Sequence, residues 1–355
     1  MAVAKGEDFM TQPWTQDILG QGFEQQTLKL DDGAHATLVR YRGLSSEWPQ
    51  DRDGLEDPGL DADVLYVHGW SDYFFQKHVA EFWHRLGARF YALDLHNYGR
   101  SLDTGMVPGF VTNLADYDAD IEAALEAMGR SGEDAGAGHP ERPLILLGHS
   151  TGGLTLSLWA HRHPGVASAL ILNSPWLEFQ ATELGRRAIA PLVGLRAKFH
   201  PLTPLPPVDP GIYTRAVSAT FDGEWDYNLQ WRPDRGFPIT PAFLDAVFRG
   251  QATVAAGLGL DVPVLVLLSD KSYLQPKWSA DALTADVALN VDAVAHRSLS
   301  LADTVTISRL PNALHDIFLS PEPIRREAFE RIGRWLPTAL QAPDALAWEA
   351  VTAGL

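Results

Sequence analysis

Leu144-Ile145-Leu146-Leu147-Gly148-His149-Ser150-Thr151-Gly152-Gly153 is an apolar run of strand length that passes straight into Gly-x-Ser-x-Gly. Leu154, Leu158 and Trp159 follow at helical spacing. A serine at such a strand-to-helix junction sits on a tight turn that pushes its hydroxyl clear of the backbone. Gly148 and Gly152 lack a Cβ, so strand and helix can close around a serine held in a strained conformation. The chain has 30 glycines, so the pattern alone is loose. The buried strand before it and the helix after it make Ser150 a candidate nucleophile.

Strands and helices alternate on both sides of this stretch. Upstream, Phe23 to Leu30 and Ala34 to Tyr41 read as strands joined by a hairpin turn at Asp31-Asp32-Gly33. Ser45 to Asp63 is a polar loop, and Val64 to Val67 a short buried strand ending in His68-Gly69-Trp70. Phe75, Val79, Phe82, Trp83 and Leu86 mark a helix, and Arg89 to Leu95 another strand. Leu114, Tyr117, Ile121, Leu125 and Met128 mark the next helix, and Ser131 to Arg142 is a solvated loop. Downstream, Ala169 to Leu172 is a strand closed by Asn173-Ser174-Pro175. Strands return at Val262 to Leu268 and Val305 to Ile307, and Ser320-Pro321 opens a last helix.

Such alternation specifies an α/β fold, a doubly wound, mostly parallel sheet covered on both faces. From Trp176 to Asp261 it lapses into proline and aromatic residues, with helix expected only near Ala181 to Arg196 and Ala242 to Leu258. The expected organisation is a core of residues 1–175 and 262–355 carrying a cap insertion, residues 176–261.

A length of 355 residues accommodates one large domain with an insertion. The net charge of −17 disfavours nucleic acid and anionic membrane surfaces. The absence of cysteine removes disulfides, a thiol nucleophile and thiolate metal sites. No segment approaches the about 18 apolar residues that span a bilayer, and the first twenty residues lack the apolar core of a signal peptide. A cytoplasmic protein with no integral membrane segment, no metal and no cofactor is expected. Oligomeric state is not legible.

A serine hydroxyl needs an adjacent base held by a third group. His315, in the loop after the last strand, falls at the carboxyl edge of the sheet where Ser150 also emerges. In this architecture the acid precedes the histidine, which leaves Asp270, Asp281, Asp286 and Asp292 after the strand Val262 to Leu268. Asp270 is nearest the strand. Asp316, adjoining the base, reads as structural, as do Asp94 and Arg100 in the loop after their strand.

The order His68-Gly69, Asp94 through Gly99-Arg100-Ser101, Gly148 to Gly153, Asn173-Ser174-Pro175 and His315 resembles an α/β-hydrolase. More narrowly it is similar to the monoacylglycerol lipase, lysophospholipase and serine aminopeptidase-like group. The resemblance implies that an Ala-Asp pair after the late strand carries the acid, which Ala285-Asp286 matches. The chain departs from the pattern by the extra stretch Lys271 to Thr284, and Ser272 holds the position the family would otherwise use. Asp286 is therefore preferred, with Asp270 second and Asp292 third. The N–H groups of Thr151 and, by resemblance, Trp70 would form an oxyanion hole, and His68, Gly69, His149 and Trp176 would border the substrate.

The expected activity is hydrolysis of a small-molecule carboxylic ester, with a neutral, apolar acyl part, through an acyl-enzyme. An aminopeptidase or amidase on the same machinery is the alternative, with Glu178, Glu183 or Glu224 to hold a substrate amine. A non-catalytic ligand receptor is the third reading, disfavoured by the intact triad.

Overall fold

Nine strands among the described residues form one sheet, in the order β1-β2-β3-β5-β4-β6-β7-β8-β9. They are β1 (Thr15–Gln16), β2 (Phe23–Lys29), β3 (His35–Tyr41), β4 (Asp63–Val67), β5 (Arg89–Asp94), β6 (Leu144–His149), β7 (Ala169–Asn173), β8 (Val264–Ser269) and β9 (Val305–Leu310). The computed structural model describes residues 12–30, 33–44, 59–130, 142–179, 183–206 and 210–340. Asp31 and Asp32 of the expected hairpin turn, most of the loop before β4 and most of the loop before β6 lie outside them. The first three strands are antiparallel, β3 pairs antiparallel with β5, and β5 through β9 run parallel. No described helix is long and apolar enough to cross a membrane.

The central strands are buried along their whole length, which is why they read as unbroken apolar runs. Their side chains still alternate between two cores. Val64, Tyr66, Ile145 and Leu147 face a cluster closed by α1 (Lys77–Arg85) and α8 (Glu322–Ala339). Leu65, Val67, Leu144 and Leu146 face the other, closed by α2 (Asp118–Ala127), α3 (Thr151–Arg162) and α7 (Val291–Ser298).

Between β7 and β8 stand α4 (Glu183–Phe199), α5 (Ile212–Val217) and α6 (Pro241–Ala256). The sequence pattern gives no sign of α5, which is only six residues long. Thr240 caps α6, its Oγ1 accepting the Phe243 N–H at 3.3 Å, with Pro241 in the first turn. Phe243, Val247 and Val254 pack into the same cluster as α3, so the insertion shares the core rather than standing off it.

Ser150 joins β6 to α3 with φ 51° and ψ −115°. A non-glycine residue there is strained and persists only where its surroundings over-determine it. They do: a Cβ on Gly148 would come within 2.6 Å of Gly153 Cα, and one on Gly152 would strike the carbonyl oxygens of His68 and Val67. The start of α3 is thus pressed against the end of β4. Gly152→Ala should lower the urea midpoint by an amount equivalent to about 1–3 kcal/mol or more, since the obstructing atoms are backbone and cannot swing away. An unchanged midpoint would contradict this packing.

Candidate active site

Ser150 stands at the end of β6, in the middle of the sheet. Its N–H donates to the Asn173 carbonyl at 3.0 Å, and its carbonyl accepts the Trp176 N–H at 2.9 Å. Its Oγ lies 3.2 Å from His315 Nε2. His315 Nδ1 lies 2.9 Å from Asp286 Oδ2. The other oxygen, Asp286 Oδ1, accepts the N–H groups of Ala288 at 2.8 Å and Leu289 at 2.7 Å. Assigning the Nδ1 proton to the side facing Asp286 leaves Nε2 to accept from the Ser150 hydroxyl. All three side chains are buried.

Asp286 reaches His315 because the stretch after β8 leaves the sheet and returns to where it left. Ser272 and Asp286 form a parallel bridge, with Asp286 N–H donating to the Lys271 carbonyl at 3.0 Å and Tyr273 N–H to the Asp286 carbonyl at 2.6 Å. The residues between them are an excursion that leaves Asp286 beside Ser272. The other aspartates are engaged elsewhere. Asp270 Oδ1 accepts the Asn312 N–H at 3.0 Å, Asp281 accepts from Ser279, and Asp292 pairs with Arg309 at 2.7 Å on the surface. Asp316 is bound by Asn173 Nδ2 at 2.6 Å, Gln76 Nε2 at 3.1 Å and the Phe318 N–H at 2.9 Å.

The loop after β4 presses on the elbow: a Cβ on Gly69 would stand 3.0 Å from Ser150 Cβ. Trp70 follows, and Thr151 opens α3, where the first N–H groups have no acceptor within the helix. His68 is buried, donating from Nδ1 to the Gly69 carbonyl at 2.8 Å and accepting the Leu95 N–H on Nε2 at 3.2 Å. It stitches the ends of β4 and β5 together. His149 packs 5.0 Å from the His315 ring and donates from Nδ1 to the Asn173 carbonyl at 3.1 Å. The Trp176 carbonyl accepts Gln251 Nε2 at 3.0 Å.

A cavity of about 430 Å³ opens beside this group, walled by Trp70 and Ser71 from the core and by Tyr213, Arg232 and Phe237 from the insertion. Ser150 and His315 do not line it; Tyr213 does, with its ring edge-on to His315 at 5.4 Å. His68, Gly69, His149 and Trp176 do not line it either. Arg232 is buried 3.3 Å from the buried carboxylate of Asp72 and ringed by Tyr227, Tyr213 and Phe75 at 4.5–5.5 Å. Asp72, Tyr213 and Arg232 escape sequence reasoning, since the insertion has no periodicity to place them. Ligand-type atoms of Asp72, His149 and Asp316 lie within 4.8 Å of one another. Arg232 already supplies the positive charge facing Asp72, and Asp316 is filled by its three donors, so the geometry gives no ground for an ion there.

A serine at a strand-to-helix elbow, met at the carboxyl edge by residues that follow later strands, is the arrangement of an α/β-hydrolase. Residues 59–321 match the family model described as Hydrolase_4, serine aminopeptidase S33, and the chain belongs to that family. It is 26% identical over 279 residues to a monoacylglycerol lipase of Mycolicibacterium smegmatis, covering 78% of this chain and 88% of that one. Among solved structures, the monoacylglycerol lipase of Paleococcus ferrophilus is similar with a TM-score of 0.54 at 20% identity, covering 79% of this chain and 96% of that one. A soluble variant of the monoglyceride lipase of Saccharomyces cerevisiae, with a substrate analogue, is similar with a TM-score of 0.57 at 15% identity, covering 92% and 100%. These structural likenesses carry the fold.

Burial pushes the imidazoles of His68 and His149 below the ordinary range, in His149 despite the pull of Asp316. Outside the site, His78 stacks on Trp225 of the insertion and donates to the Phe318 carbonyl at 2.8 Å. Burial, with Arg325 adding to it, lowers its pKa from 6.5 to about 4. The unfolded chain takes up a proton near 6.5 that the folded chain refuses until about 4. The unfolded state therefore binds more protons across that window, and stability falls as pH drops through it. Urea midpoints should be lower at about pH 5 than at about pH 7, and His78→Gln should flatten that slope. An identical slope in the variant would contradict the neutral, half-buried His78.

Proposed function

We propose that the protein hydrolyses carboxylic esters with an apolar acyl part, using Ser150 as nucleophile, His315 as base and then acid, and Asp286 to orient His315. The observation that carries this reading is the unbroken hydrogen-bonded line from Ser150 Oγ through both nitrogens of His315 to Asp286, whose far oxygen is pinned by two backbone N–H groups. Such a line raises the nucleophilicity of a hydroxyl that is otherwise weak near neutral pH.

In the acylation step Ser150 Oγ bonds to the ester carbonyl carbon while its proton moves to His315 Nε2. The N–H groups of Thr151 and Trp70 would receive the charge on the former carbonyl oxygen, a contribution of about 10²–10³ in turnover per donor. Collapse breaks the ester C–O bond, and the departing alkoxide takes the proton from His315. Water, deprotonated by the same nitrogen, then releases the acid and restores Ser150. Residues 176–261 act in this scheme as a cap, contributing Tyr213, Arg232 and Phe237 to the substrate cavity.

Ester rather than peptide cleavage is favoured by what the cavity lacks. Among the described residues no Asp or Glu lines it, so a substrate amine would find no counter-charge there. Of the glutamates that could have served, Glu178 is held by Arg297 and Glu224 faces Arg325 at 3.4 Å, while the Glu183 side chain lies outside the described structure. The monoacylglycerol lipase relative supports the same choice.

Hydrolysis of p-nitrophenyl esters tests the assignment. Ser150→Ala should lower kcat by about 10⁶ and Asp286→Asn by about 10⁴, whereas Asp270→Asn and Asp292→Asn should stay within about twofold of the parent. Retained turnover in Asp286→Asn, with loss in Asp270→Asn, would move the acid to the residue nearer β8.

A further inference from the structure

We propose that the cavity beside the triad prefers esters whose far end carries an anionic group, a carboxylate or a phosphate-type group, and that Arg235 reads it. The inference rests on the hydrolase reading above and names the substrate class of that site. It replaces the neutral acyl part expected with the ester-hydrolase reading of the sequence.

The chain holds 45 acidic residues against 28 basic ones, so an arbitrary patch of its surface should be acidic. The cavity is the reverse: its lining among the described residues includes Arg232 and Arg235 and no Asp or Glu. The two arginines differ in circumstance. Arg232 is buried and faces Asp72 at 3.3 Å, so its charge is offset within the protein. Arg235 is exposed and has no ion pair or hydrogen bond among the described residues. Among the described residues that line the cavity, its charge is the one left for a ligand.

The remaining wall fits the rest of such a molecule. Trp70, Leu205, Phe237 and Ile239 are apolar and suit a hydrocarbon stem. Ser71 Oγ accepts the Phe237 N–H at 2.9 Å and keeps its own proton to donate. An apolar channel edged by a planar guanidinium binds a carboxylate or phosphate oxygen pair in the geometry a lysine ammonium cannot match. It also offsets the long-range repulsion of an anion by the net charge of −17.

The test uses p-nitrophenyl adipate with its far carboxylate free, the same ester with that carboxylate as a primary amide, and a phosphonate-ended ester of matched length. Each is assayed with the parent protein, Arg235→Gln and Arg235→Lys, at low and high salt. The charged esters should exceed the amide in kcat/KM by about fivefold, through KM, and the advantage should shrink in high salt. Arg235→Gln should bring the ratio close to one, and Arg235→Lys should keep part of it. Whichever charged end gains more assigns the head group. Equal kcat/KM for charged and neutral esters in the parent, or an advantage that survives Arg235→Gln, overturns the inference while leaving the hydrolase reading in place. If no ester is turned over, the hydrolase reading fails on its own. Calorimetric binding of the matching anilides, charged against amidated, then decides the charge preference by the same Arg235→Gln comparison.

Discussion

The close approach of α3 to the end of β4 is the constraint on which the rest of the site depends. Gly152 lies against the last carbonyls of β4, Gly148 lies against Gly153, and Ser150 is left with the positive φ that such crowding demands. The strain is local, and buried central strands on both sides hold it in place. Because β6 is one of the two middle strands of the parallel set, its carboxyl end is also where loops from both halves of the sheet converge. A serine held there is reachable from residues more than a hundred positions away in the chain.

Holding His315 in reach takes a second set of contacts beneath the triad. Asn173, at the end of β7, accepts the Ser150 and His149 N–H groups on its carbonyl, donates to Asp316, and accepts the Ile317 N–H at 3.1 Å on its side chain. That one residue ties the elbow to the segment that carries His315. Asp316 is fully buried; burial alone would raise its pKa, but His149 and the hydrogen bonds from Asn173 and Gln76 outweigh burial and keep it ionised. A comparable knot shapes the loop after β5, where Arg100 joins Asp94 at 2.7 Å and Asp17 at 2.6 Å. These buried charges act on loop position, Arg100 with its two aspartates as ion pairs and Asp316 through neutral hydrogen-bond donors, so that desolvation is met.

How much of this was legible follows from where the signal is local. The strands from β2 onward were, since a buried parallel strand is an apolar run bounded by turn residues, and so was the strand-to-helix junction at Ser150, whereas the two-residue β1 carries no such signal. Helix starts were read less well. Phe75 precedes α1, and Leu114 and Tyr117 sit in a 3₁₀ turn before α2, because apolar spacing does not distinguish a tight turn from a first helical turn. Asp270 is nearer the strand than Asp286, and only the Ala-Asp pattern pointed to the latter; the return of the chain to Ser272 is a tertiary event. The Arg232–Asp72 pair joins residues 160 positions apart with no periodicity in either segment. His68, expected at the substrate, engages backbone groups with both ring nitrogens, and His149, expected there too, engages one with Nδ1.

The account requires that one serine, and no other in the chain, be activated by His315. Reacting the folded protein with a fluorophosphonate and mapping the modified peptide by mass spectrometry asks this directly. The prediction is a single adduct on Ser150 that disappears in His315→Ala. An unmodified folded protein, or an adduct on a different serine, would contradict it.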